Sequence, residues 1–259
     1  MNSSHLSHQP LAGERSRNFR RAWLLACGPV IFLFLTACNK PHPITIVDIG
    51  KASRTQLGHQ VGILSKFQPR ILGLDFFLVP DSLSGDTAMV NALHRISNTI
   101  QVVGLHTYYE IFQAWDSLEV SHSKFTVNGV GFANLPSADS VILPDSPMSQ
   151  RWHDSTIHSF GYAVALASTG AQSRHRHESD SSIRLDARTL GKNYNLITMN
   201  QVLSGSFNPD LVRDKIVLLG YLGDDDDFFY LDSLRTSRIN GVEVHAAVIS
   251  KLLSLRDRK

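Results

Sequence analysis

The sequence predicts an α/β fold: one domain with a mainly parallel central sheet flanked by helices, plus an irregular insertion in its middle. Three observations predict it. Short apolar runs rich in β-branched residues alternate with stretches of helical spacing through the first half of the body. The joins between them are short, as right-handed βαβ units require. A final strand and a final helix close the chain in the same order.

Each element has a local reason. Residues 44–49, I-T-I-V-D-I, are almost wholly apolar and read as a buried strand. Leu57, Val61, Leu64 and Phe67 follow at helical spacing, and Pro69 stops the helix. Residues 71–77 predict a second strand interrupted only by Asp75, and Asp86 is expected to cap a helix carrying Met89, Val90, Leu93 and Ile96. Residues 100–105 give the third strand. Residues 108–115 and 124–127 read as excursions forming an added hairpin, and 130–135 as a strand. A helix over 159–167 should bury Phe160, Ala163, Val164 and Ala167. Beyond a polar loop at 173–182, a short strand at 196–198 precedes a helical turn through Val202 and Leu203 that Gly205 ends. Residues 215–219, K-I-V-L-L, are the clearest late strand, and a last helix is expected over 242–253 behind Gly241. No internal repeat is present.

Composition narrows the function classes. The chain has 259 residues, 42% hydrophobic and 19% charged, enough for one large core. Its formal charge of +2 comes from the N-terminal segment, where Arg15, Arg17, Arg20 and Arg21 face Glu14 alone. Without those five residues the balance is about −1, which leaves no basic footprint for nucleic acid. Cys27 and Cys38 both lie in that segment, so the body has no disulfide. Its core must hold it alone.

The first 38 residues read as an export signal. Residues 22–37 carry no charge but span only ~24 Å as a helix, short of a ~30 Å bilayer core, and Gly28-Pro29 breaks them. A short apolar run behind arginines fits a signal peptide better than a permanent span. Its end, Leu35-Thr36-Ala37-Cys38, resembles the lipobox of bacterial lipoproteins. That resemblance implies cleavage before Cys38 and lipidation of the new terminus, which would hold the chain at a bilayer. The alternative is an uncleaved signal anchor. Either way the body, after a stiff spacer at 39–43, is expected outside the cytoplasm, in the periplasm or at the cell surface. In a host with two membranes, Asn39 in place of aspartate favours outer-membrane sorting.

Several segments occur in a telling order: I-T-I-V-D-I-G at 44–50, G-L-D-F-F at 73–77, G-F-A-N-L-P at 131–136, D-K-I-V-L-L-G at 214–220, F-F-Y at 228–230 and G-V-E-V-H-A at 241–246. Together they resemble the CHASE type 2 domain, a sensory extracellular module of bacterial histidine kinases and nucleotide cyclases, over residues 44–255. The resemblance implies a ligand sensor acting in signal transduction, its ligand unnamed. Family members usually continue into transmembrane helices and a cytosolic output. This sequence ends at Lys259, so a signal is expected to pass through a separate membrane partner such as a kinase or cyclase. Leu231-Asp232 stands where the family often has Thr-Pro.

Five residues are the ligand-binding candidates. Asp48 and Asp75 should sit at the carboxyl ends of two neighbouring strands, the rim where open α/β sheets bind ligands. A carboxylate there can hydrogen-bond a ligand, hold a cation or cap nearby backbone amides. Asp227 ends the run Asp224–Asp227 and falls where the resemblance places an acidic residue. The run itself reads as a solvated acidic turn, since calcium-loop spacing is absent. Glu243 and His245 open the last helix; the glutamate suits a helix N-terminus, and the histidine is a ligand contact, a metal ligand, a pH-responsive group or a packing residue. Gly220-x-x-Gly223 lacks the rest of a phosphate loop and is rejected as one. His175 and His177 are expected only to solvate their loop. No nucleophile elbow, body cysteine or zinc spacing appears, so no catalytic residue is assigned and no cofactor is expected beyond a divalent cation. Two other readings stand beside the sensor: an envelope interaction module whose crevice has lost its ligand, and a metal-dependent hydrolase built on Asp48, Asp75, Asp227 and His245.

Overall fold

A computed structural model describes residues 43–256, except 82, 110–113, 126, 139, 171–181, 187–189, 191–193 and 224–227. The export-signal segment with Cys38, the acidic run with Asp227, and nearly all of the 173–182 loop lie outside the described residues.

Strands β1 (Ile44–Asp48), β2 (Ile71–Leu74), β3 (Thr99–Tyr109), β5 (Gly129–Phe132), β12 (Asn195–Ile197) and β13 (Ile216–Gly220) form a parallel core in the order β12-β1-β13-β2-β3-β5. Helices α1 (Arg54–Ser65), α2 (Leu83–Leu93) and α4 (Met199–Ser204) cover one face; α3 (Phe160–Ser168) and α5 (Gly241–Arg256) cover the other. Side-chain alternation assigns the faces. Val47, Leu72, Leu74, Val217 and Leu219 pack toward α1, α2 and α4, while Ile44, Ile46, Ile71, Ile216 and Leu218 pack toward α3 and α5. Burial on both sides explains why these strands read as nearly continuous apolar runs.

The helices begin where short polar side chains can cap them. Ser53 and Gln56 form a capping box at α1, Ser159 caps α3, and Thr198 with Gln201 repeats the box at α4, which Gly205 ends at φ 71°. Asp86 is not an N-cap. It lies inside the first turn of α2 and accepts the Asp81 amide at 3.1 Å.

The middle insertion is a set of short strands. The outer half of β3 leaves the parallel core and pairs antiparallel with β4 (Ala114–Glu119); a hairpin is present, but it lies earlier than expected, and residues 124 and 125 belong to no strand. The sheet then continues through β9 (Ser149–Trp152) and β10 (Ser155–His158). Strands β6 (Ser137–Ala138), β7 (Val141–Ile142), β14 (Phe228–Tyr230) and β15 (Arg238–Asn240) make a separate four-stranded sheet, and β8 (Asp145–Pro147) pairs with β11 (Ser182–Arg184).

Two expectations about strands need correction. β2 ends at Leu74, so Asp75 is the residue at which the chain leaves the sheet. β1 and β2 are not neighbours either, because β13 is inserted between them.

Candidate functional site

That insertion builds the rim. Asp48 is in register with Gly220, and Leu74 with Leu219, so Asp48 and Gly220 end two adjacent strands and Asp75 stands beside them, just past the end of the third. The Asp75 amide donates to Leu219 O at 2.8 Å and the Ile49 amide to Gly220 O at 3.0 Å, which carries the pairing one step past the strands. By alternation all three residues face α3 and α5. Two strand spacings separate the aspartates, roughly 10 Å.

Gly220 sets how close α5 comes. A Cβ there would lie 2.6 Å from the Val242 side chain, so only glycine lets the first turn of α5 rest on the rim. One turn later His245 points at the next strand over. Its Nε2 stands 3.8 Å from Asp75 Oδ1, with the two side chains only 4% and 7% exposed. The Phe160 ring meets the imidazole edge-on, centroids 5.1 Å apart at 77°. Phe160 is itself admitted by glycine, since a Cβ on Gly131 would lie 2.5 Å from Phe160 Cα.

Burial lowers the His245 pKa to about 4. At neutral pH the contact is therefore a carboxyl group beside an uncharged imidazole, at a separation too long for a hydrogen bond. It is not a salt bridge.

Asp48 is engaged with backbone. Its Oδ1 accepts the Gly50 amide at 3.0 Å and the Leu222 amide at 3.2 Å, tying the turn after β1 to the loop after β13. Of the roles expected for it, capping is the one seen. Glu243 is engaged too. Its Oε2 accepts the Asn240 amide at 2.9 Å, capping α5, and its Oε1 accepts the Tyr194 hydroxyl. Burial first, then this bond, pushes the Tyr194 phenol well above its ordinary range. Asn240 in turn donates to Gly223 O at 2.9 Å, so the α5 start and the loop after β13 are held together.

Of the five candidates, Asp75 and His245 are thus brought together, Asp48 and Glu243 line the same rim in structural roles, and Asp227 is not described. Among the described residues no three His, Cys, Asp or Glu side chains are grouped to hold a metal ion. The divalent-cation and hydrolase readings gain no support from this geometry.

The opposite face carries a cluster the sequence reading missed. Asp86, 5% exposed, touches Lys124 Nζ and lies 3.5 Å from Arg54 Nε, whose own side chain is 9% exposed. Arg54 Nη2 donates to Val79 O at 2.9 Å. Both cations sit over the Phe125 ring, at 5.5 and 5.2 Å. The Lys124 hydrogen bond, against some desolvation, holds the Asp86 pKa below its ordinary value. The one local signal was Lys124-Phe125 inside a polar stretch.

A family model for the CHASE2 domain matches residues 34–259, which takes in every described element. The chain belongs to the CHASE2 family. CHASE2 domains are extracellular sensory domains, so a sensory role and a place outside the cytoplasm follow for this chain at that level. No curated protein and no solved structure matches it. Within this CHASE2 domain, the aspartates of the first two family-like segments and the histidine of the last converge on the rim built by the fourth. No helix among the described residues is long and apolar enough to cross a membrane.

Proposed function

We propose that this CHASE2 domain binds its signal at the rim formed by Asp48, Gly220, Asp75 and the first turns of α5, and passes it to a separate membrane protein. The buried Asp75–His245 contact carries the proposal. It places two buried ionisable groups, 3.8 Å apart, where an α/β sheet admits ligands. The chain acts by binding, not by turnover. Its N-terminal segment supplies the tether, lipidated at Cys38 after cleavage of residues 1–37, and holds the domain at the outer side of a membrane.

Thermal unfolding of the wild-type chain at pH 7.5 against a panel of small metabolites tests the binding claim. A ligand should raise the transition temperature with concentration, and Asp75→Asn should abolish the rise while leaving the protein folded. If no compound in the panel shifts the wild type but a defined membrane kinase or cyclase co-purifies with it, the rim is an interface. The engagement of Asp48 and Glu243 by backbone favours that second reading. Turnover lost in Asp75→Asn would show an enzyme instead. For the tether, intact-mass measurement of the membrane fraction should find a lipidated chain starting at Cys38; an unmodified chain starting at Met1 excludes it.

A further inference from the structure

The parallel strands all begin at one edge of the sheet, and the residues that lead into them meet there. Pro43 O accepts the Ile216 amide at 3.0 Å, Lys215 O accepts the Arg70 amide at 2.9 Å, and Arg70 O accepts the Asn98 side-chain amide at 3.4 Å. Pro43, Lys215, Arg70 and Asn98 therefore stand in a row ahead of β1, β13, β2 and β3. Three segments make up this amino edge: 66–70 behind α1, 94–98 behind α2, and 205–215 behind α4. They carry Lys66, Arg70, Arg95, Arg213 and Lys215 against Asp210 and Asp214. Both carboxylates are taken within the edge, Asp214 by Arg70 at 2.9 and 2.7 Å and Asp210 by Arg213 at 3.2 Å. Three positive charges are left in excess. Half-buried Phe67 and Phe207 meet edge-on among them, centroids 5.2 Å apart.

The remainder of the body has the opposite sign. Residues 43–256 hold 18 basic and 21 acidic residues, and the edge takes five of the first but two of the second, which leaves 13 against 19 elsewhere. Helix carboxyl ends account for cations at Lys66 and Arg95 but not for Lys215, which leads into a strand. A body that is acidic overall and basic along one edge is oriented by an anionic surface. The chain leading to the tether joins that same edge. Five residues, 39–43, separate Cys38 from β1 and reach at most ~18 Å.

We propose that the amino edge docks on an anionic phospholipid surface, so that the domain stands on its basic edge with the ligand rim turned away from the bilayer. The inference rests on the reading of the N-terminal segment as a lipid-bearing tether and names the surface by which the tethered domain meets the membrane. A lysine or arginine near anionic headgroups raises partitioning roughly fivefold, but the attraction fades within ~8 Å at physiological salt. Acylation at Cys38 supplies the closeness that so short a range demands. Acyl chains fix distance and leave orientation open; the charge asymmetry decides which edge faces the lipid, with Phe67 and Phe207 at headgroup level.

The full chain, purified from membranes, is incubated with vesicles of phosphatidylcholine alone or mixed with phosphatidylglycerol at about 3:1. Flotation reads the tether, and hydrogen exchange in 66–70, 94–98 and 205–215 reads the docking. The chain should float with both vesicles, while exchange at the edge slows about fivefold only with phosphatidylglycerol and recovers in about 0.5 M salt. Lys66→Gln combined with Arg95→Gln, both at exposed positions, should lose that protection and still float. Flotation with equal edge exchange in both vesicles overturns the docking and leaves the tether standing. Salt-sensitive flotation with phosphatidylglycerol alone keeps the docking and removes the tether; flotation with neither removes both. Edge protection found in native membranes but in neither vesicle would place a protein there and overturn the lipid assignment.

Discussion

Among the described residues, each face of the sheet buries a carboxyl group beside basic or imidazole side chains, and the two faces treat it in opposite ways. Toward α1 and α2, Asp86 is met by Arg54 and Lys124 above one phenyl ring. Toward α3 and α5, Asp75 is met by a histidine that burial keeps uncharged. The first arrangement fixes three segments, α1, α2 and the loop before β5, in one geometry. The second sets two ionisable side chains beside the rim proposed to take the ligand. Buried charge that is compensated makes a scaffold; a buried ionisable pair at the rim marks a candidate binding place.

The sharpest way to break the scaffold face is Phe125→Ala. It removes the ring under both cations and a buried side chain, 3% exposed, and should cost ~3–5 kcal/mol in denaturant unfolding. Gly220→Ala should come next, at ~1–3 kcal/mol, because its Cβ meets Val242 and lifts the start of α5. That variant should also disturb the rim, whereas Phe125→Ala acts on the opposite face of the sheet.

Acid should separate the faces. Histidine titrates near 6.5 in the unfolded chain and about 4 at His245, so the unfolded state takes up the proton first and stability falls as pH drops through that window. The slope from this residue is at most ~1.4 kcal/mol per pH unit. His245→Gln should flatten it. Asp86 behaves in the opposite sense. Its native value lies below 3.8, so its contribution is whole above that pH and is lost only as pH falls further, through the lowered native value. Equilibrium unfolding at a series of pH values checks both, and a single transition common to the wild type and His245→Gln would erase the distinction. The smallest effect is expected at the other end of the sheet. Arg70→Ala breaks an exposed pair with Asp214 at 2.7 Å and should cost under ~1 kcal/mol, vanishing in high salt.

Much of the fold was legible locally. Strand and helix positions followed from periodicity, and Gly205 marked a helix end where the structure has it, whereas the caps at Ser53 and Thr198 were not read from the sequence. The short strands between β5 and α3 were not, because two- to four-residue segments of mixed polarity carry no period and owe their pairing to neighbours. At the site, Asp75 and His245 were named from the sequence, but so were Asp48 and Glu243, whose carboxyl groups serve backbone amides. Arg54, Asp86 and Lys124 were missed as a cluster because each, taken alone, reads as an ordinary helix-start or loop charge.

What the amino-acid order determined by itself was which segments are buried and on which side each residue falls, since alternation along a strand and spacing along a helix are local properties. Which strands become neighbours was decided only by the tertiary structure. Parallel strands of similar apolar content compete as partners, and the winner depends on packing across both faces. Here β13, from late in the chain, displaced the expected pairing of β1 with β2. That choice brought Gly220 between two aspartates and delivered His245 to one of them.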